Sequence, residues 1–324
     1  MTDRYARQMT LPEVGQAGQA RLRAASVLVV GAGGLGCAVL QYLAAAGVGR
    51  LVVVDHDRVE EGNLHRQPLY RVSDCGRLKV AAAHAALHAL NPDVTVEAVP
   101  ERLTPANVCA LVQRAHIIVD AADSFAVTYT LSDACTDAGR PLVSASVIGL
   151  ASYVGVFGGS APSYRAVFPD MPAQAASCST AGVLGTAVGV MGTLQAHLVL
   201  SLILGLEAGA AGRLVSIDFR SLRVGGFSFA SAREPAERVP LFIAPSEVSA
   251  EDFTVDLRSV EEAPAPAFPS SVRSNVDAIG ELAGRVEPTQ RVVLCCRSGM
   301  RAWRASQTLR SKGIARVALI AMGD

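Results

Sequence analysis

Apolar and polar positions fall along the chain in blocks that read by turns as strand and helix. Residues 27–30 form a β-branched apolar run that stops at a glycine cluster, residues 35–46 suit a helix, and a second apolar run ends at Asp55. This predicts a strand, turn, helix, strand unit, the building block of an open α/β sheet. An Ala-rich helix over 79–90 is stopped by Asn91-Pro92, short strands at 95–99 and 117–120 flank a helix over 107–114, and a helix over 125–139 precedes strands at 142–147 and 152–157.

Residues 181–206 carry no charge until Glu207 and are long enough to cross a bilayer. Gln195 and His197 near the middle, no basic cluster at either end, and Gly185, Gly189 and Gly192 on roughly one helical face predict a buried central helix instead. Residues 231–250 change character, with Pro235, Pro240 and Pro245 among mixed charges. The expected division is a nucleotide-binding domain over 1–240, a linker over 241–252 and a smaller α/β module over 253–324. In that module the pattern predicts a strand at 253–257, a Pro/Ala loop, a helix over 276–283, a buried strand at 291–294 and an amphipathic helix through Lys312.

With 324 residues, 50% of them hydrophobic and 18% charged, the chain reads as globular rather than disordered. A formal net charge of zero gives no long-range pull toward nucleic acid or acidic membranes, and neither is expected as a partner. The segment MTDRYARQM lacks the apolar core of a secretory signal, and seven cysteines without a framework of paired spacings fit the reducing cytoplasm.

The chemistry starts at the glycines. Gly31, Gly33 and Gly36 have the G-x-G-x-x-G spacing, where missing Cβ atoms allow a tight turn and close approach to phosphate, and the next helix directs free N–H groups at that phosphate. Asp55, 19 residues past Gly36, is placed to accept hydrogen bonds from a ribose. A dinucleotide fold for NAD or FAD is the default reading at this point, and the residues downstream decide. The polar stretch after it, with Asn63, Arg66, Gln67, Asp74 and Lys79, suits a triphosphate better than a dinucleotide, because two cations and an amide neutralise and position phosphoryl oxygens. Asp123 ends the strand at 117–120, at the sheet edge where ligands bind, and is placed to hold Mg²⁺.

The stretches RYARQ, GAGGLGCAVLQYLAAAGVGRLVVVDHDRVEEGNLHRQ, DCGRLK, VDAADS and CSTAGVLGTAVGVMGTLQA resemble the adenylating enzymes of the MoeB and ThiF type, relatives of the ubiquitin-activating enzymes. The resemblance covers roughly the first 240 residues and implies a Rossmann-like fold that binds ATP and adenylates the C-terminal glycine of a small ubiquitin-like sulfur-carrier protein ending in Gly-Gly. It implies that Gly31, Gly33, Gly34 and Gly36 line the nucleotide, Asp55 meets the ribose, Asn63, Arg66 and Lys79 meet the phosphates and Asp123 holds Mg²⁺. Arg7 is then offered across a homodimer interface. Ser124 departs from the asparagine common after that aspartate. Cys178, in AASCSTAGV, corresponds to a thiol that some relatives use covalently; a small buried residue is the other reading.

Relatives also carry two C-x-x-C pairs that make a closed zinc site. Here Ser163 and Ala166 stand where the first pair's thiols belong, and residues 234–239 contain no cysteine, so no structural zinc is expected.

In the second module, a strand ending at Cys296 runs through Arg297-Ser298-Gly299-Met300-Arg301 into a helix. Such a turn surrounds a sulfur with backbone N–H groups and stabilises a thiolate or persulfide. VVLCCRSGMRAWRASQTLRSKGIARV resembles the rhodanese active-site loop, which implies Cys296 as persulfide carrier, Arg301 as loop organiser and Cys295 as core. A Cys-based phosphatase has a longer loop between cysteine and arginine. The expected activity is adenylation followed by sulfur transfer from Cys296, loaded by a persulfide donor such as a cysteine desulfurase, to leave a thiocarboxylate. Adenylation alone, with the module used for docking, and an NAD-binding regulatory protein are the alternatives.

Overall fold

The apolar runs become strands of an eight-stranded sheet. In the computed structural model, which describes residues 3–172, 182–206 and 211–323, these are β1 (Ser26–Val30), β2 (Arg50–Val54), β3 (Thr95–Val99), β4 (Ile117–Asp120), β5 (Pro141–Ile148), β6 (Ala151–Gly158), β7 (Arg213–Asp218) and β8 (Arg223–Ser228). Their order is β3-β2-β1-β4-β5-β6-β7-β8. The sheet is parallel from β3 through β5 and antiparallel from β5 to β8. The strand order reverses between β1 and β4, the position where open α/β sheets leave a crevice for ligands.

The helices are α1 (Ala6–Met9), α2 (Gly15–Ala24), α3 (Gly34–Ala45), α4 (Lys79–Leu90), α5 (Val108–Val112), α6 (Phe125–Ala138), α7 (Tyr164–Val167), α8 (Gly185–Leu204) and α9 (Met300–Ser311). Alternate strand side chains feed two cores: Val27, Val29 and Leu51 under α3 and α8, and Leu28, Val30 and Ile118 under α5 and α6. The long apolar segment is α8, the one described helix long and apolar enough to cross a membrane. It lies on α3 and β5, and Gln195 in its middle is buried and donates to the carbonyl of Asp120 at 2.7 Å. A Cβ at Gly192 would stand 2.5 Å from the carbonyl oxygen of Leu35, so that glycine sets the close approach of α8 to α3. Gly189, expected on the same face, looks onto open space.

A second sheet, wholly parallel, has the order β11-β10-β12-β13-β9, with β9 (Leu241–Phe242), β10 (Phe253–Asp256), β11 (Val272–Arg273), β12 (Val292–Cys296) and β13 (Val317–Ala321). The stretch read as a linker therefore opens with a strand of this sheet. Residues 276–283, expected as an α-helix, give a 3-10 helix at Ile279–Arg285, where Gly280 and Gly284 weaken a longer turn.

One apolar cluster runs without a break from α6 into the second module and joins Tyr129, Phe157 and Tyr164 to Phe242, Val292 and Trp303. Trp303 rests on Tyr129 with ring centroids 4.9 Å apart. Beside them Arg165, 2% exposed, clasps Asp133 through Nε at 2.7 Å and Nη2 at 2.8 Å, donates to the Pro240 carbonyl at 3.2 Å, and lies 4.9 Å from the Tyr129 ring centroid. Ser163 donates to Glu234 from its amide and its hydroxyl, both at 2.6 Å. Hydrogen bonds thus tie Ser163 to Glu234, in the two segments that the sequence leaves without thiol pairs.

Candidate functional site

The glycine turn is built by exclusion. Gly31 has φ +96°, and a Cβ there would lie 2.6 Å from the carbonyl oxygen of Ala121; a Cβ on Gly36 would collide with the Gly31 carbonyl. Gly34 lies against Val188, where a Cβ would be 2.6 Å away, whereas a Cβ at Gly33 would first meet Gln67 at 3.7 Å. The turn thus brings β1 against the end of β4, and α3 begins directly after it.

Asp55, at the end of β2, already accepts from the amides of Ala32 at 2.7 Å and Asp57 at 2.8 Å, so its carboxylate also fixes the glycine turn. Tyr70 supports the same turn by donating to the Ala32 carbonyl at 2.7 Å. Burial pushes its hydroxyl well above the ordinary phenol range, so it remains a donor. Nothing in the sequence pattern marked Tyr70.

Arg66 closes the 3-10 helix Glu61–Arg66, half-buried, with no ion-pair partner among the described residues. Its backbone is held by α8, because Gly185 lies against the carbonyl of His65 and the Cα of Arg66. Asn63, on the same turn, donates to Glu60 at 2.9 Å. Lys79, expected on the phosphates, is 7% exposed and ion-paired with Asp57 at 2.8 Å. Burial raises the Asp57 carboxyl, but the hydrogen bond and charge of Lys79 outweigh it and hold the group below its usual range. The pattern gave no signal for Asp57 as the lysine's partner.

Asp123 is exposed just beyond β4. Three residues earlier Asp120 is buried and accepts from Thr128 at 2.7 Å and Ser144 at 2.8 Å. Burial pushes its carboxyl up to about 6. As a hard oxygen ligand at the ligand-binding edge, Asp123 suits Mg²⁺, which commonly takes one or two carboxylates beside substrate phosphates. Among the described residues Asp55, His56 and Asp57 also bring three ligand atoms within 4.8 Å of one another.

The structure therefore gathers Gly31, Gly33, Gly34, Gly36, Asp55, Asn63, Arg66, Lys79 and Asp123 along one sheet edge. Arg7 is not among them. It is exposed on α1, whose Gln8 bonds the Ala46 carbonyl, at the opposite end of α3 from the glycine turn. Cys178 lies outside the described residues.

Cys296 ends β12 as expected, and its sulfur accepts from the Ala302 amide at 3.4 Å. The cradle is closed, however. Cys295 and Cys296 are both fully buried, and a Cβ on Gly299 would be 2.7 Å from Phe242 and 3.4 Å from Ala126 on α6. Burial raises the Cys296 thiol above its ordinary value; the amides of Ala302, Gly299 and Arg301 and the Arg301 charge work against that shift without cancelling it. Burial therefore works against the stabilised thiolate expected of this loop. Arg301 forks onto Glu262, with Nη1 and Nη2 each 2.6 Å from a carboxylate oxygen. Glu262 escaped the sequence reading.

The family model of the ThiF family matches residues 5–240. "Sulfur carrier protein adenylyltransferase" of Thermus thermophilus is 47% identical over 235 residues, which span 68% of this chain and 87% of that protein. "Adenylyltransferase and sulfurtransferase MOCS3" of Bos taurus is 48% identical over 229 residues, 68% of this chain and 50% of the relative, so the match spans about half the length of that protein. Among solved structures, E. coli MccB with ATP has a TM-score of 0.64 at 21% identity, over 72% of this chain and 73% of that one. PaaA has a TM-score of 0.59 at 25% identity, over 70% and 73%. These structures share the Rossmann-like α/β fold.

Proposed function

The chain belongs to the ThiF family, and from that premise we propose that it is an ATP-dependent adenylyltransferase acting on the C-terminal glycine of a small sulfur-carrier protein. The observation that carries this reading is the sheet edge where the glycine turn, Asp55, Arg66, Lys79 and Asp123 converge. The turn and the first amides of α3 cradle phosphate, Asp55 orders the ribose end, and Arg66, Asn63 and Lys79 orient the triphosphate for attack by the carrier carboxylate. Lys79 exchanges Asp57 for phosphate oxygens as the nucleotide enters. Asp123 would hold Mg²⁺, which when bound supplies neutralisation of the phosphate charge.

The second module, read as rhodanese-like from its parallel sheet and its Cys296 loop, then carries sulfur as a persulfide and delivers it to the activated carbonyl. A separate persulfide donor, such as a cysteine desulfurase, loads Cys296. A homodimer is supported by the uncovered face of α8 that bears Val190 and His197, and it would bring the partner's Arg7 toward the triphosphate. Cytoplasmic location follows from the cysteine usage. The burial of Cys296 favours a second reading, adenylation with a module that only docks partners.

The test is carrier-dependent exchange of pyrophosphate into ATP. Arg66→Ala and Asp123→Ala should abolish it, and wild-type exchange in either variant would remove the assignment.

A further inference from the structure

The guanidinium that serves the Cys296 loop is already occupied by an anion of the chain itself. Arg301 donates to both oxygens of Glu262 at 2.6 Å and to the Leu257 carbonyl at 2.9 Å, and its charge acts on the Cys296 thiol. Its fork is therefore filled by a bidentate carboxylate, the geometry that gives a guanidinium its anion selectivity. The carboxylate is prebuilt. Glu262 accepts from the Ser259 amide at 3.0 Å, and its own amide donates to the Ser259 hydroxyl at 3.2 Å. Below this turn Arg258 grips Asp256 through Nε and Nη2, and Arg273 donates to the Arg258 carbonyl at 3.0 Å. The hydrogen bonds from Arg301, together with the Ser259 amide and the charge of Arg297, hold the Glu262 carboxyl down at about 2, so it is ionised throughout the neutral range.

We infer that Glu262 is a specificity-determining residue which, by filling the Arg301 fork, closes the Cys296 loop to small dianionic sulfur donors of the thiosulfate type. The inference rests on Cys296 carrying sulfur. A thiosulfate donor would have to seat its sulfonate end on a cation beside the sulfur; here that cation is paired and a fixed negative charge stands in the seat. An alkyl persulfide, R–S–SH, needs no such seat. In either reaction the Cys296 thiolate, its proton released to solvent, attacks the terminal sulfur of the donor. A new bond forms from Sγ to that sulfur and the old S–S bond breaks. Sulfite leaves with the electron pair from thiosulfate, or the thiolate R–S⁻ leaves from the persulfide.

The full-length protein is assayed with two donors, thiosulfate and glutathione persulfide, and cyanide as acceptor, with thiocyanate as the readout. Glu262→Gln, which removes the charge and keeps the shape, should raise the ratio of kcat/KM for thiosulfate over glutathione persulfide by at least about tenfold, an effect of the size expected for one like charge at close range. Glu262→Asp, which keeps the charge, should leave the ratio low. An unchanged ratio in Glu262→Gln, or an equal rise in Glu262→Asp, overturns the inference. In the wild type, thiosulfate should fail to slow alkylation of Cys296, and protection there would overturn it without any variant. If Cys296 accepts sulfur from neither donor in any form of the protein, the carrier reading itself fails and takes this inference with it.

Discussion

Replacing Arg165 with alanine should loosen the seam between the two modules. Arg165 is 2% exposed and Asp133 17% exposed in their side chains, so the substitution leaves a carboxylate inside the protein without its partner. Breaking such a buried pair costs about 3–5 kcal/mol, which includes the Pro240 carbonyl losing its donor. The same change at Arg50, whose pair with Glu97 has side chains 40% and 39% exposed, should cost under about 1 kcal/mol and serves as control. The sole tryptophan, Trp303, lies in the seam against Tyr129, so urea unfolding followed by its fluorescence reads this contact directly. The pH dependence has a defined sign. Burial already pushes the Asp133 carboxyl up while Arg165 opposes it, and without Arg165 the folded-state pKa rises further above the unfolded one. A group raised in this way binds more protons when folded, so the variant's deficit should be largest at neutral pH and shrink as pH falls through that raised value. Arg165→Met combined with Asp133→Leu removes both charges and should recover at least half of the loss. A deficit below about 1 kcal/mol at pH 7, or one that grows on acidification, would refute the reasoning.

Gly36→Ala should abolish ATP binding measured by calorimetry, because its Cβ would collide with the Gly31 carbonyl and open the turn; tight binding in that variant would show that the turn does not form the phosphate site. Purified protein should hold less than one equivalent of zinc by elemental analysis and keep its unfolding midpoint in chelator, since Ser163 and Glu234 already join the two segments by hydrogen bonds. Stoichiometric zinc would mean that its ligands lie elsewhere. Alkylation of Cys296 should be slow at neutral pH and accelerate toward alkaline pH beyond the range of an exposed thiol, because burial raises its pKa; a rate plateau below pH 7 would contradict the closed cradle.

The nucleotide edge was legible because its signals are local. The runs ending at Val30, Val54 and Asp120 are β-branched and buried, and Gly36 is needed by its contact with Gly31 in the same turn, whereas the demand at Gly31 comes from Ala121, just past β4 and distant in the chain. What escaped depended on distant contacts. β8 is exposed at every position and so carries no alternation to read. Leu241–Phe242 becomes a strand only because β13 offers it an edge. The strand-to-helix turn at Cys296 was read correctly, but its closure depends on Phe242 and Ala126, which stand far from it in the chain. For the same reason Glu262 as partner of Arg301 and Asp57 as partner of Lys79 became visible only in three dimensions.

In the proposed reaction one chain activates a carrier at Asp123 and delivers sulfur to it from Cys296. The most direct measurement is the carrier's C-terminus, followed by mass spectrometry with selective alkylation of thiocarboxylate, which separates it from simple oxidation. Cys296→Ala should retain pyrophosphate exchange and make no thiocarboxylate from a persulfide donor, whereas Asp123→Ala should load sulfur on Cys296 and make no adenylate. Thiocarboxylate formed at the wild-type rate by Cys296→Ala would show that the sulfur does not come from Cys296.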